Sequence, residues 1–541
     1  MGKYVYFFML FLITEVLPVN SQDWKDYPYE PAGSLIKFPK DEGRHTTEPV
    51  EWWYTIGHLT GDESGTHYSY MLTYFYMNYP PYQGFRIFNV TNDDTGEFYS
   101  DVQPVTYALL ATDSLNLIVK TGFLGSGTET WKNKTNAAGM IPFEYVLTAN
   151  ASKGALNLEY VAQKPPLILG DDGYFPQGQE TYTYYYSQTL NSVTGSFTFN
   201  GTTENVSGTS WIDRQYGTFN PSTGEKYEWF CLQLSNGMDI NVWDLFATDN
   251  TIPEDPKYKN ISVYVDELNS YTNIDFHIER LGFWWNSTED LCYARKWRLT
   301  SEQNNMDLTI TAINNNTEVD LPFQFYEGSV SIEGTVNGNP VSGKGYAELL
   351  HHYLNPEVTV VQPENDEWNA SMPLSWTLNN PDDGNPLAYD LYYSVDNQES
   401  FTKIDSGLKV NEYYWLPPAV STGESVWFRV DAYSIDTTLT GTDTNDAMVT
   451  VTKGTKTDEK YKLDGIQIFP VPTRNMLQIR HDPSVSVKQF TIYDLAGNKV
   501  MENILQSNTS EQISTKKLKP GYYVIRINSS SGTVDKKFLK L

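Results

Sequence analysis

The chain has 541 residues, 40% hydrophobic and 14% aromatic, with 39 tyrosines. That is too apolar for a disordered protein, and too long for one core, since single cores rarely grow beyond about 250–300 residues. The formal charge of −29 is uneven: residues 456–541 hold 14 Lys and Arg against 8 Asp and Glu, a net of +6, leaving −35 on the rest. An acidic body argues against nucleic acid, whose phosphates need cationic neutralisation, and the basic tail reads as a module with its own role.

Residues 1–21 carry Lys3, an apolar run from Tyr4 to Ile13 and the step Val19-Asn20-Ser21, the pattern of a secretory signal peptide cut after Ser21. Spanning a bilayer takes about 20 apolar residues and Glu15 interrupts the run, so no transmembrane anchor is expected. Residues 48–61, EPVEWWYTIGHLTG, then set three large aromatics side by side in a predicted strand. Alternation sends Trp52, Tyr54 and Ile56 to one face and Glu51, Trp53 and Thr55 to the other. A strand wetted on one side has no use for rings on both. This one is either covered on both faces or has one face lining an aromatic cavity.

From about residue 45 to 353, short strands such as 67–77, 84–90, 143–149, 156–162, 194–201, 229–237 and 240–247 alternate with turn residues. Hairpin turns are signalled at Asn236-Gly237 and in VNGNPVSG (336–343). Strands at this spacing without helices between them predict an all-β protein of two packed barrel or sandwich units, at 22–204 and 205–354. Residues 355–453 show about seven short strands, the pattern of an immunoglobulin-like sandwich. Their segments around Trp376, NPDDGNPLAYDLYYS and VWFRVDAY resemble fibronectin type III modules. A Thr/Lys-rich linker at 454–464 leads to residues 465–541.

Cys231 and Cys292 allow either a disulfide or two buried thiols, and neither has a partner at zinc-site spacing. Sequons at Asn89, Asn133, Asn200 and Asn260 matter only if the host glycosylates them. Asp382-Asp383-Gly384-Asn385 reads as a β-turn rather than a calcium loop, lacking a distal glutamate. His351-His352 ends a strand and is expected in solvent. There is no HExxH, GxSxG or Gly-rich phosphate loop, so neither metal, cofactor nor serine-hydrolase chemistry is expected.

Two resemblances organise the rest. In the tail, Phe469-Pro470 with Pro472, Ile492-Tyr493-Asp494 with Gly497-Asn498-Lys499, Leu518 with Gly521-Tyr522-Tyr523, and Lys537-Phe538 resemble the C-terminal sorting domain of the type IX secretion system of Bacteroidetes. Val471 stands where an asparagine is usual. This implies the type IX machinery as a partner and a secreted or cell-surface location. In the body, EWWYTIGHLTG, QKPPLILGDDGYF (163–175), TYTYYYSQT (181–189), GTSWIDRQYGT (208–218) and YEGSVSIEGTVNGNPVSGKGYAEL (326–349) resemble the lipocalin-like hydroxyneurosporene synthase (carotenoid 1,2-hydratase) family and its predicted secreted hydrolase relatives. The resemblance implies two lipocalin-like domains with a ligand cavity near their junction, and a hydrophobic or isoprenoid-like small molecule as partner. The carotenoid hydratases carry a histidine where DRQYG has Arg214 and a tryptophan where it has Tyr216. An imidazole can shuttle protons near neutral pH and a guanidinium cannot, so the match is closer to the secreted relatives, which show the arginine form.

The expected chemistry is cofactor-independent hydration or isomerisation. Glu51 or Asp213, buried and therefore protonated, would act as acid, with Arg214 beside them as the third candidate catalytic residue. Trp52, Trp53, Tyr54, His58, Tyr186, Trp211 and Tyr216 are the candidate substrate-binding residues, their rings able to stabilise a developing cation. Several alternatives stand beside this. Asp213 and Arg214 could be structural ion-pairing residues, Glu51 a salt-bridge partner of Arg214, and His58 a hydrogen-bonded core residue. The whole could be a non-catalytic surface binding protein for lipids or pigments, or an adhesion protein working through the fibronectin-like module.

Overall fold

The computed structural model describes residues 23–541 except 78–79, 287–289, 322, 364–366, 369–371, 414, 416–424, 453–465, 482–486, 495–496, 505–509 and 530–531. The signal-peptide segment 1–21 and the linker 454–464 lie outside the described residues. The described chain is nearly all β, its helical elements being short 3-10 turns. It divides into two compact units, one running to Tyr353 with Pro381–Asn385, the other comprising Leu354–Asn380 and Pro386–Leu541.

The first unit opens with β1 (Val50–Gly61), β2 (His67–Met77), β3 (Gly84–Asn92), β4 (Glu97–Leu110), β5 (Asn116–Thr121), β6 (Gly127–Asn136), β7 (Gly139–Asn150), β8 (Gly154–Ala162), β9 (Leu167–Ile168), β10 (Tyr174–Gln177), β11 (Thr181–Phe199) and β12 (Thr202–Gly217). Eight antiparallel neighbours run from β1 to β8, and β11 closes them by pairing with β8 on one edge and β12 on the other, giving a ten-stranded barrel. A bulge between Gln188 and Asn191 lets the long β11 change partners: its second half faces β8, while its first half takes up β9 and β10. Because β12 belongs to this barrel, the boundary expected after residue 204 moves to the connection following Gly217.

The barrel is filled rather than hollow. Trp53, Tyr70, Trp131, Tyr145 and Tyr160 are buried in its core. Its polar groups bond to one another: Tyr70 to Tyr160 at 2.8 Å, Tyr74 to Glu129 at 2.7 Å, and Tyr145 to Glu42 at 2.5 Å.

The second part of this unit has β13 (Lys226–Leu234), β14 (Asp239–Phe246), β15 (Lys259–Asp266), β16 (Asn269–Asn273), β17 (His277–Asn286), β18 (Leu291–Ser301), β19 (Met306–Ala312), β20 (Glu318–Asp320), β21 (Gln324–Val336) and β22 (Asn339–Leu349). Their order is β16-β15-β14-β13-β22-β21-β19-β18-β17, with β20 beside β21. Its buried centre includes a bidentate pair in which Arg280 Nε and Nη2 donate to Glu228 Oε2, at 3.1 and 2.8 Å.

The aromatic strand β1 answers its own pattern. Trp53 belongs to the barrel core, while Tyr54 and Ile56 join a separate cluster with Trp211 of β12 and Trp229, Cys231 and Tyr346 of β13 and β22. Both faces of β1 are therefore covered, one by its own barrel and one by the second sheet.

Cys231 and Cys292 are both buried and form no disulfide. Asn89, Asn133 and Asn260 are buried, so their amides are closed to a glycan in the folded chain; Asn200 is exposed. The expectation of solvent-exposed histidines is corrected: His351 is 1% exposed and stacks on Phe246 at 3.8 Å, and His352 is half-buried.

In the second unit, residues 358–451 form two sheets around Trp368, Trp376, Leu391, Val426 and Phe428. Residues 467–540 form a three- and a four-stranded sheet around Leu477, Ile492, Ile525 and Phe538.

Candidate functional site

Asp213 and Arg214 are adjacent on β12 and therefore point to opposite faces of the barrel wall. The register fixes which: Asp213 lies opposite Tyr54, and Arg214 opposite Trp53. The three residues expected to act together are thus divided. Glu51 and Arg214 turn into the barrel, and Asp213 turns towards the second sheet.

Inside the barrel, the Glu51 carboxylate accepts from the Arg44 and Arg214 guanidinium groups, from the His45 backbone N–H at 2.8 Å, and contacts His45 Nδ1 at 3.2 Å. Burial would raise its pKa, but the Arg214 charge and the His45 and Arg214 hydrogen bonds outweigh burial and hold it below the usual value. Arg214 lies 4.0 Å over the Trp53 ring and donates to Gly43 O at 2.6 Å and Gln215 O at 2.8 Å. Tyr216 stacks on His45 at 3.5 Å, and Tyr186 packs edge-on against Phe38 at 4.8 Å. An ionised carboxylate so enclosed cannot serve as an acid. The geometry of Glu51, Arg214, Trp53, Tyr186 and Tyr216 is that of a knot closing one end of the barrel.

Outside the barrel wall, a cavity of about 520 Å³ opens between β1–β3 and the sheet carrying β13, β14, β21 and β22. That volume falls in the range of small-molecule sites. Trp52, Phe75, Phe85, Trp229, Trp243 and Phe325 give it an aromatic wall. Of the expected site residues, Trp52, Tyr54 and Asp213 face it. Trp211 stands behind Asp213, its Nε1 donating to Oδ1 at 2.7 Å. His58 is buried further along the same face, 6.3 Å from the Tyr346 ring, with its pKa lowered to about 4 by burial and the Lys344 charge. It does not line the cavity.

Three carboxyl–phenol pairs interrupt the apolar wall. Tyr185 donates to Asp213 Oδ2 at 2.5 Å, Tyr54 to Glu327 Oε1 at 2.5 Å, and Tyr227 to Glu348. Asp213 also accepts from Ser187 at 2.5 Å, and Asn241 donates to the Tyr185 hydroxyl at 2.8 Å. Burial pushes the Asp213 carboxyl up to about 7 despite these donors, and the Glu348 charge adds to the rise. Glu327 and Glu348 are direct cross-strand neighbours on β21 and β22. Burial and then the facing Glu348 raise Glu327 well above the carboxylate range, and burial raises Glu348 as well. Two carboxyls so placed resist ionising together side by side, so the pair favours keeping a proton. Glu327 Oε2 is buried without a hydrogen-bond partner, and burial with the facing Glu348 favours the proton on Glu327.

Sequence reasoning did not single out Glu327 or Glu348, yet the signal was present. A two-residue turn at Asn337-Gly338 pairs Val336 with Asn339, and counting nine residues out along each strand brings Glu327 opposite Glu348. Among the described residues, no group of three or more His, Cys, Asp or Glu could hold a metal ion.

A family model described as AttH-like matches residues 29–353, and one described as the secretion system C-terminal sorting domain matches 467–540. Among solved structures, the chain is similar to a protein described as AttH from Nitrosomonas europaea, at 19% identity and a TM-score of 0.49, covering 60% of this chain and 98% of that one. It is also similar to kievitone hydratase from Nectria haematococca, at 18% identity and a TM-score of 0.48 over 60% and 98%. A third, CghA, matches at 12% identity and a TM-score of 0.39 over 60% and 94%. No curated protein matches. Among the described residues, no helix is long and apolar enough to cross a membrane. The sorting domain directs export through the type IX machinery to the cell surface or beyond. With its model matched over most of the chain, from the first barrel to the end of the second sheet, the protein belongs to the AttH-like family.

Proposed function

We propose that the AttH-like part is a cofactor-independent hydratase or isomerase acting on an apolar, isoprenoid-like alkene in the cavity between its two sheets. The observation that supports this reading is the Glu327–Glu348 pair, two facing buried carboxyls on an aromatic wall, with burial and Glu348 raising the pKa of Glu327. Glu327 transfers its proton to one alkene carbon. The cation that develops at the other carbon lies among the faces of Trp52 and Trp229, where ring quadrupoles stabilise it. In hydration, water forms the new C–O bond and its proton passes to the carboxylate left on the pair, which returns to its starting charge. In isomerisation, the same carboxylate removes a proton from the neighbouring carbon instead. Asp213 lines the same cavity, and burial together with the Glu348 charge holds its carboxyl up at about 7. In this scheme Trp52 and Tyr54 line the substrate's cavity, Glu327 takes the acid role expected of Glu51 or Asp213, and Glu51 and Arg214 act only by holding the barrel wall.

The test is incubation of the full chain with acyclic isoprenoid alkenes in deuterated water, with mass spectrometry of the recovered lipid. Turnover is expected to place carbon-bound deuterium in the product. Glu327→Gln is expected to lower it by roughly a hundredfold or more, the scale of a lost general acid. Alkenes that bind but gain no deuterium would assign the cavity to non-catalytic carriage of lipids or pigments.

A further inference from the structure

Resting on that reading of the cavity, we infer that its ligand is an amphipathic acid, an unsaturated apolar body whose carboxylate is held by Lys226 and His352. Both residues line the cavity. Lys226 is the first residue of β13, three positions before Trp229, which lies opposite Glu348. Lys226 and Trp229, three residues apart, do not share a strand face, so Lys226 meets the cavity from its edge, roughly 10 Å along β13 from the carboxyl pair.

Neither group is satisfied by the protein. Lys226 is half-buried, its ammonium makes no hydrogen bond or ion pair among the described residues, and burial alone lowers its pKa. The acids that could neutralise it are turned elsewhere: Glu225 accepts from the Gln179 N–H at 3.1 Å and Glu348 from Tyr227. His352 Nε2 is buried without a partner, and burial followed by the Lys226 charge lowers its pKa to about 4, so the ring is neutral and offers an N–H. A desolvated ammonium without a counter-ion is costly, and an anionic ligand head removes that cost. Of the carboxyls lining the cavity, burial biases Asp213 and Glu327 towards their protonated forms, which limits their repulsion of the anion.

The probe is cis-parinaric acid, a fluorescent conjugated fatty acid, titrated into the full chain beside its methyl ester. The wild type is expected to bind the acid roughly tenfold tighter than the ester, the scale of one charge-assisted contact. Lys226→Met is expected to bring the acid to the ester's affinity with the ester within twofold of wild type, and Lys226→Arg to keep the preference. Equal binding of acid and ester by the wild type would overturn the inference while leaving the apolar cavity standing. So would parallel losses of both in Lys226→Met. Binding of neither would remove the cavity reading and this inference together. The wild-type comparison decides the matter even if a variant fails to fold.

Discussion

Asp213 and Arg214 share a peptide bond and nothing else. One sits under a cavity at the edge of ionisation, and the other closes a barrel. The arginine at position 214 therefore does not cost this chain an acid in the cavity, since the position faces the barrel interior. Its role is tied to Glu51, which two guanidinium groups and His45 hold ionised. Taking the charge from one member of a buried ion pair typically costs about 3–5 kcal/mol, because the partner stays buried and unpaired. Glu51→Gln leaves both Arg44 and Arg214 without a counter-ion, so a loss of that order is expected in urea unfolding. An unchanged midpoint would show that the knot does not hold the barrel.

At the scale of elements, β1 was the most legible strand. Alternation alone assigned its two faces, and rings on both meant either cover on both or an aromatic cavity on one; the structure has the barrel core on one side, and the second sheet with the cavity between on the other. What alternation could not supply was which face meets the cavity, since that depends on strands β13 and β21, far away in the chain. The His351-His352 misreading has the same origin: a strand end carries no local mark that Phe246 will stack on it. Close approach across β1 and β2 is equally invisible in one strand's sequence. Gly57 lies directly opposite Tyr70, and a Cβ there would come within 2.4 Å of the Tyr70 ring. The ring cannot swing away easily, since its hydroxyl bonds Tyr160 in the filled core. Gly57→Val is expected to destabilise by about 1–3 kcal/mol, the range for overpacking a core, and Gly57→Ala by less. Thermal unfolding of the three proteins side by side checks the order.

The whole first unit buries carboxyls that ionise reluctantly. Burial pushes Asp213 and Glu42 each up to about 7 and Asp239 to about 6, and raises Glu327 well above the carboxylate range. In an unfolded chain such groups ionise near 4. The folded state therefore binds more protons than the unfolded state between about pH 4 and 7, and stability falls as pH rises through that window. Glu51 opposes this with a lowered pKa, but its contribution lies at more acidic pH and is already complete above the unfolded carboxylate range. The formal charge of −29 acts in the same direction as the buried acids, because self-repulsion grows as the remaining carboxyls ionise. The unit is thus expected to unfold at a lower temperature at pH 8 than at pH 5.5, and added salt should recover only the part due to surface repulsion. Asp213→Asn separates the two contributions. If Asp213 titrates near 7, the variant loses up to roughly 4 kcal/mol of pH dependence across the window relative to wild type, the equivalent of about three pKa units. A variant whose stability falls with pH as steeply as wild type would mean that Asp213 is ionised throughout, and the cavity wall would then carry a fixed negative charge beside the Glu327–Glu348 pair.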